Sequence, residues 1–236
     1  MQMRPGRRRI AGLSVVFLLG CVSPGAAAAD GEAVVRIMPL GDSITQGYHT
    51  SYRDPLWSAL REAGWKVDFV GTMKSNYGGG GPPRGYDTDH EGHWGWHADE
   101  VMERIAEWAE RSNPDIVLLH LGTNDVGTGH DPLETAGEVA QVIALLRDQN
   151  PGIHVLLALI IPVDHAAANK NIREYNEALA ETAALLDRDS SRVLVVDQFS
   201  GFDAAADTYD GVHPNENGNR KMADRWFSAL ELLRSD

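Results

Sequence analysis

The stretch Asn113-Pro114-Asp115-Ile116-Val117-Leu118-Leu119-His120-Leu121-Gly122-Thr123-Asn124-Asp125 decides the fold. Proline disfavours helix in the residue before it, so Asn113-Pro114 ends one element. Residues 116–121 then run almost wholly apolar, without the alternation of a strand that has one wet face. Such a strand is buried on both faces, the signature of a parallel sheet covered by helices. His120 lies inside that run and reads as a satisfied core residue. Working outward, the pattern recurs at residues 34–40, 67–70, 153–160 and 193–196, which makes five strands. Amphipathic segments separate them. Asp54-Pro55 reads as a capping residue and first-turn proline for a helix that stops at Gly64. Further helices are expected at 99–111, at 132–148 capped by Asp131, at 171–186 and at 214–233. Strand–helix alternation predicts an α/β fold: a three-layer α/β/α domain around a flavodoxin-like five-stranded parallel sheet, with its site at the carboxyl ends of the strands.

The chain has 236 residues, 21 basic against 34 acidic, for a formal charge of -13. This acidity argues against a nucleic-acid partner. One cysteine excludes both an internal disulfide and a multi-cysteine zinc site. Residues 1–29 read as a signal peptide: four arginines at 4, 7, 8 and 9, an apolar run over 10–22, then small residues to Ala29. Two processing routes stand open, cleavage near Ala29 with release as a secreted protein, or a lipoprotein anchored at Cys21, which follows Leu18-Leu19-Gly20. The arginine run also fits a twin-arginine export route. Removing those four arginines, with no acid among residues 1–29, takes -13 to -17. Residues 30–236 are expected to form a single domain, acting as a monomer, with no spanning helix.

The residues that follow the strands carry the chemistry. Gly41-Asp42-Ser43-Ile44-Thr45 comes after the first, and His90-Glu91-Gly92-His93-Trp94-Gly95-Trp96 after the second. Gly122-Thr123-Asn124-Asp125 follows the third, and Asp210-Gly211-Val212-His213-Pro214-Asn215 precedes the last helix. A serine hydroxyl becomes a competent nucleophile when an imidazole takes its proton and a carboxylate orients that imidazole. Ser43, His213 and Asp210 fill those roles. An oxyanion needs donors set in advance, for which the amides of Ser43 and Gly95 and the carboxamide of Asn124 are candidates. Asp42, Trp94 and Trp96 are candidates for binding substrate, and Tyr48, Tyr77 and Tyr86 offer further faces for sugar stacking. His90, His93 and His97 do not keep the His-Glu-x-x-His spacing, since position 94 is Trp, so no metal is expected. Gly-x-Ser-x-Gly and phosphate-loop patterns do not occur, and no cofactor is implied.

Ser43 in Gly-Asp-Ser, Gly95, Asn124 in Gly-Thr-Asn-Asp and His213 in Asp-Gly-Val-His-Pro-Asn together resemble the four markers of the SGNH hydrolases of the GDSL class. Residues 36–45, Ser51-Tyr52-Arg53, residues 67–71, residues 89–93 and the block from Asp210 to Ala223 are most similar to carbohydrate esterase family three, the acetyl xylan esterases. Two features depart from that pattern: the Gly-rich insert 78–85, and Trp94, where a small residue is common. The resemblance implies a secreted serine esterase that removes acetyl groups from polysaccharide such as acetylated xylan, with an acylated carbohydrate or other small ester as its partner. The competing readings are a lipase, lysophospholipase or thioesterase on the same scaffold, a non-catalytic carbohydrate-binding protein, and a metal-dependent hydrolase.

Overall fold

A computed structural model of the chain describes residues 1–2, 33–78 and 85–235. In chain order the elements are β1 (Val35–Gly41), α1 (Ser43–Gln46), α2 (Arg53–Glu62), β2 (Val67–Phe69), β3 (Glu91–Gly92), α3 (Ala98–Met102), α4 (Ile105–Ser112), β4 (Ile116–His120), α5 (Thr123–Thr128), α6 (Pro132–Gln149), β5 (His154–Leu159), α7 (Ala166–Leu186), β6 (Val193–Asp197), α8 (Ala204–Asp207) and α9 (Glu216–Ser235). Every strand pairing is parallel, in the order β2-β1-β4-β5-β6 with β3 also on β1. Ala33–Asp236 forms one compact unit. The stretch 1–29 read as a signal peptide, including Cys21, lies outside the described residues except for its first two, as do residues 79–84 of the Gly-rich insert. Among the described residues no helix is long and apolar enough to cross a membrane.

Neighbouring residues of the central strands serve opposite layers, which is why the strands read as unbroken apolar runs. Val117 and Leu119 pack with Val101, Ile105, Val139 and Leu179 on one side. Ile116 and Leu118 pack with Leu56, Leu60, Met222 and Trp226 on the other. A side chain such as Leu118, fully buried, contributes about 1.5–3 kcal/mol by leaving water.

Among the described residues six strands replace the expected five. The addition is β3, two residues long and too short to show a period. It takes over the edge of β1 where β2 stops: β2 pairs Val35 to Ile37, and β3 pairs Leu40 and Gly41. The 99–111 helix is two helices. His97 and Glu100 form a capping box at the start of α3, and the ladder tightens at Arg104, whose amide donates back to Val101 O. Asp54 is not a cap, because α2 already begins at Arg53 and its first amide is met by Ser51 Oγ at 3.4 Å. The last helix begins at Glu216, capped by Asn215, whose Oδ1 accepts from the amides of Asn217 and Gly218. Two further histidines hold backbone in place. His165 Nδ1 caps α7 by accepting from the Ala168 amide, and His154 Nδ1 accepts from the Arg192 amide.

Candidate active site

Without β3 the strand order is that of a doubly wound sheet whose direction of winding reverses between β1 and β4, and the crevice at such a point is the natural ligand site. Ser43 follows β1 and Asn124 follows β4. Gly41, the last residue of β1, lets the two strands approach. A Cβ on it would lie 2.0 Å from the His120 carbonyl oxygen. Asp42 turns the chain, its Oδ1 accepting from the Ile44 amide at 2.9 Å, and Ser43 opens α1 with a first-turn amide that has no intrahelical partner.

The loop between α8 and α9 brings His213 to Ser43. Its Nε2 lies 3.0 Å from Ser43 Oγ, and its Nδ1 lies 2.7 Å from Asp210 Oδ2. The carboxylate can only accept, so Nδ1 carries the hydrogen and Nε2 is left to accept from the serine. Asp210 Oδ1 accepts from the amides of Val212 and His213 at 3.0 and 2.8 Å. Burial alone would raise the Asp210 carboxyl; the amide and ring hydrogens of His213, with the Val212 amide, outweigh it and hold the carboxyl below its ordinary value. The loop is fixed from below by Asp207, a fully buried carboxylate that accepts from Lys221 Nζ at 2.6 Å and from the Asp203 amide at 2.8 Å.

Gly95 adopts φ +81° and is exposed, with open space where a Cβ would stand. Asn124 Nδ2 donates one hydrogen to Trp96 O at 2.8 Å, which orients the carboxamide and leaves the second hydrogen free to point elsewhere. Ser43, Asp210 and His213 thus meet directly, and Asn124 is tied to the loop that carries Gly95.

The three residues read as substrate-binding are placed differently. Asp42 is wholly buried beside Ser43, and burial pushes its carboxyl up to about 6, so it offers no surface to a substrate. Trp96 stacks on His93, 4.4 Å between centroids, and packs against the core. Trp94 stands beside the site with Tyr77 stacked on it at 4.3 Å and His213 at 4.5 Å. Tyr48, Tyr77 and Tyr209 are 39, 49 and 48 % exposed and cluster around Trp94 and His213. Tyr86 instead faces the Arg53 guanidinium at 6.0 Å.

Sequence reasoning missed Tyr209, Asp207 and Arg53. Tyr209 adjoins Asp210 and an aromatic beside the motif was visible; Arg53 stands in the family-like stretch Ser51-Tyr52-Arg53 but without a readable role, and for Asp207 no local signal existed. The loop histidines make polar contacts. His90 Nδ1 accepts from the Gly92 amide, and His93 Nε2 lies 2.7 Å from the buried Glu91 carboxylate. Among the described residues, His97, Asp99 and Glu100 are the group whose ligand atoms lie close enough to hold a metal. Glu100 there already accepts from the His97 amide in the capping box.

The model of the GDSL-like lipase/acylhydrolase family matches residues 40–221. The chain is 33% identical over 224 residues to a multidomain esterase of Ruminococcus flavefaciens, covering 84% of this chain but 28% of that longer protein. It is 24% identical over 155 residues to an arylesterase of Vibrio mimicus, covering 64% of this chain and 68% of that protein. A carbohydrate esterase family 3 structure from Talaromyces cellulolyticus superposes with a TM-score of 0.77 at 34% identity, covering 85% of this chain and 98% of that one. A family 3 carbohydrate esterase of Clostridium thermocellum gives 0.75 at 29% identity, with 86% and 98% covered.

Proposed function

Because the chain belongs to the GDSL-like lipase/acylhydrolase family, we propose that it is a serine carboxylic ester hydrolase that removes short acyl groups, acetyl foremost, from polysaccharide such as acetylated xylan. The observation that carries this reading is the run of contacts from Asp210 through His213 to Ser43, at 2.7 and 3.0 Å. Ser43 Oγ attacks the ester carbonyl carbon as its proton passes to His213 Nε2 and the carbonyl π pair moves onto oxygen. The amides of Ser43 and Gly95 and the free hydrogen of Asn124 are the donors for that oxygen. Collapse of the tetrahedral species breaks the bond to the alcohol, which leaves with the proton from Nε2. Water then attacks the acyl-enzyme by the same route, releasing the carboxylic acid and restoring Ser43. Asp210, held ionised, favours the imidazolium in both halves.

The alcohol side of the ester is assigned from the surface around the serine. Exposed tyrosines at 48, 77 and 209 present flat faces and hydroxyls, which suit a sugar ring better than a long alkyl chain. The Talaromyces and Clostridium structures are named as carbohydrate esterases, which supports the same substrate class. We further propose export, with residues 1–29 as the leader. Hydrolysis of acetyl and palmitoyl esters compared side by side tests the assignment. Acetyl ester is expected to turn over faster, Ser43→Ala to lower kcat on the order of 10⁴-fold or more, and a chelator to change nothing. Preference for palmitoyl would replace the carbohydrate reading with a lipase. Undiminished turnover by Ser43→Ala would remove the serine mechanism, and loss of activity to chelator would reinstate a metal.

A further inference from the structure

Trp94 is held at both faces. The Tyr77 ring stacks on it at 4.3 Å and 23°, and the His213 imidazole at 4.5 Å and 17°. An indole is too narrow to seat two stacked rings side by side at these separations, so the two rings take opposite faces. Trp94 therefore has no free face for a sugar, which separates it from the exposed tyrosines near it. Its backbone is fixed as well. The Trp94 amide donates to Gln46 Oε1 at 3.0 Å, and Gln46 ends the same short helix that Ser43 begins.

We propose that Trp94 is a positioning residue for His213, its indole face holding the imidazole toward Ser43 and stabilising the imidazolium that forms when the serine proton is taken up. This rests on the reading of His213 as the proton carrier. The π face of an indole is its negative pole and attracts a cation centred over it. Neutral imidazole gains from the same contact by packing alone, so the difference between the two protonation states is what the indole supplies. It acts in both half-reactions, each time charge develops on the ring, and adds to what Asp210 does from the ring edge.

The other groups facing the imidazole are Asp210 at Nδ1, the Ser43 hydroxyl at Nε2, and the Tyr209 ring, parallel to it within 15° at 5.7 Å. The Asp42 carboxyl acts on it through space from below. All four are untouched by a change at position 94, so a shift can be assigned to the indole. Leucine at 94 keeps an apolar side chain over the ring and removes the π face; phenylalanine keeps a π face.

The test is an NMR titration of the His213 ring C–H signals in the full chain, which needs no ester substrate. It is independent of the Ser43→Ala turnover assay, so failure of one is distinguishable from failure of the other. In Trp94→Leu the midpoint is expected about half a unit to one unit lower in pH than in wild type, and in Trp94→Phe within about a few tenths of wild type. A Trp94→Leu midpoint equal to or above that of wild type overturns the proposal, and so does a Trp94→Phe displaced as far as Trp94→Leu. Wild type supplies a second arm should Trp94→Leu not fold. The Trp94 indole signals are expected to move with the His213 midpoint, because charge appears over them; indole signals that stay flat across that midpoint overturn it too.

Discussion

His120 closes β4 with its ring sealed in the protein, and its proton balance can be read from its contacts. Nε2 accepts from the Ile161 amide at 3.3 Å, so Nδ1 carries the hydrogen, and among the described residues it meets no partner. Burial pushes the ring down to about 4 from an ordinary 6.5. Between those values the unfolded chain binds a proton that the folded protein refuses, so stability falls as pH falls through the window. Asp42 works in the other direction. Burial raises it to about 6 from 3.8, so over nearly the same range the folded protein keeps a proton that the unfolded chain has released. The two slopes oppose each other, and the informative quantity is a difference. On going from pH 7 to pH 4.5, His120→Gln is expected to lose about 2 kcal/mol less stability than wild type, read by urea unfolding at both pH values. Equal losses would remove His120 from the acid response.

At the level of elements, one buried side chain ties the site loops together. Arg53 starts α2 and is fully buried, yet its acceptors are neutral oxygens: Thr45 O at 3.0 Å, Ser51 Oγ at 3.2 Å, Thr88 O at 2.8 Å, Gln46 O at 3.0 Å and Asn76 Oδ1 at 2.5 Å. Burial lowers its proton affinity from the usual arginine value. The acceptors come from α1, which begins with Ser43, from Ser51 between α1 and α2, and from Asn76 and Thr88 on the segment between β2 and β3. Arg53→Met strands them in the interior and is expected to cost more than about 3 kcal/mol in urea unfolding and to lower kcat. Arg53→Lys restores only part of both, because an ammonium lacks the planar five-donor fork. A stable Arg53→Met with unchanged kcat would show that the loops hold themselves. No periodicity marks such a residue, since it acts through carbonyls scattered over 43 positions, from Thr45 to Thr88. The same limit explains the elements that were not foreseen. The central strands, buried on both faces, and the capped helix α6 carry their pattern within a few turns of chain, whereas α1, α8 and β3 are two to four residues long and exist by virtue of their neighbours.

Over the whole molecule, a parallel sheet sends the ends of its strands to one edge, and for that reason Ser43, Asn124 and His213 could be singled out before their distances were known. What sequence order does not carry is how rings meet across it: Trp94 against His213 and Trp96 against His93 are settled by packing. The charge has a similar two-level reading. With residues 1–29 removed the formal value moves from -13 to -17, and intact mass of the protein recovered from outside the cell is expected to correspond to a chain starting at Asp30. A chain starting at a lipid-modified Cys21 would make it an anchored protein instead. The contact between His213 and Ser43 joins residues 170 positions apart, and β1 gains its central partner only when β4, whose Ile116 pairs with Ile37, has been made. Synthesis proceeds from the amino end, so Ser43 is among the first parts of the domain to be built and His213 among the last. Ser43 therefore waits through 170 positions of synthesis for its partner, and the two meet only when the loop leading into α9 has docked.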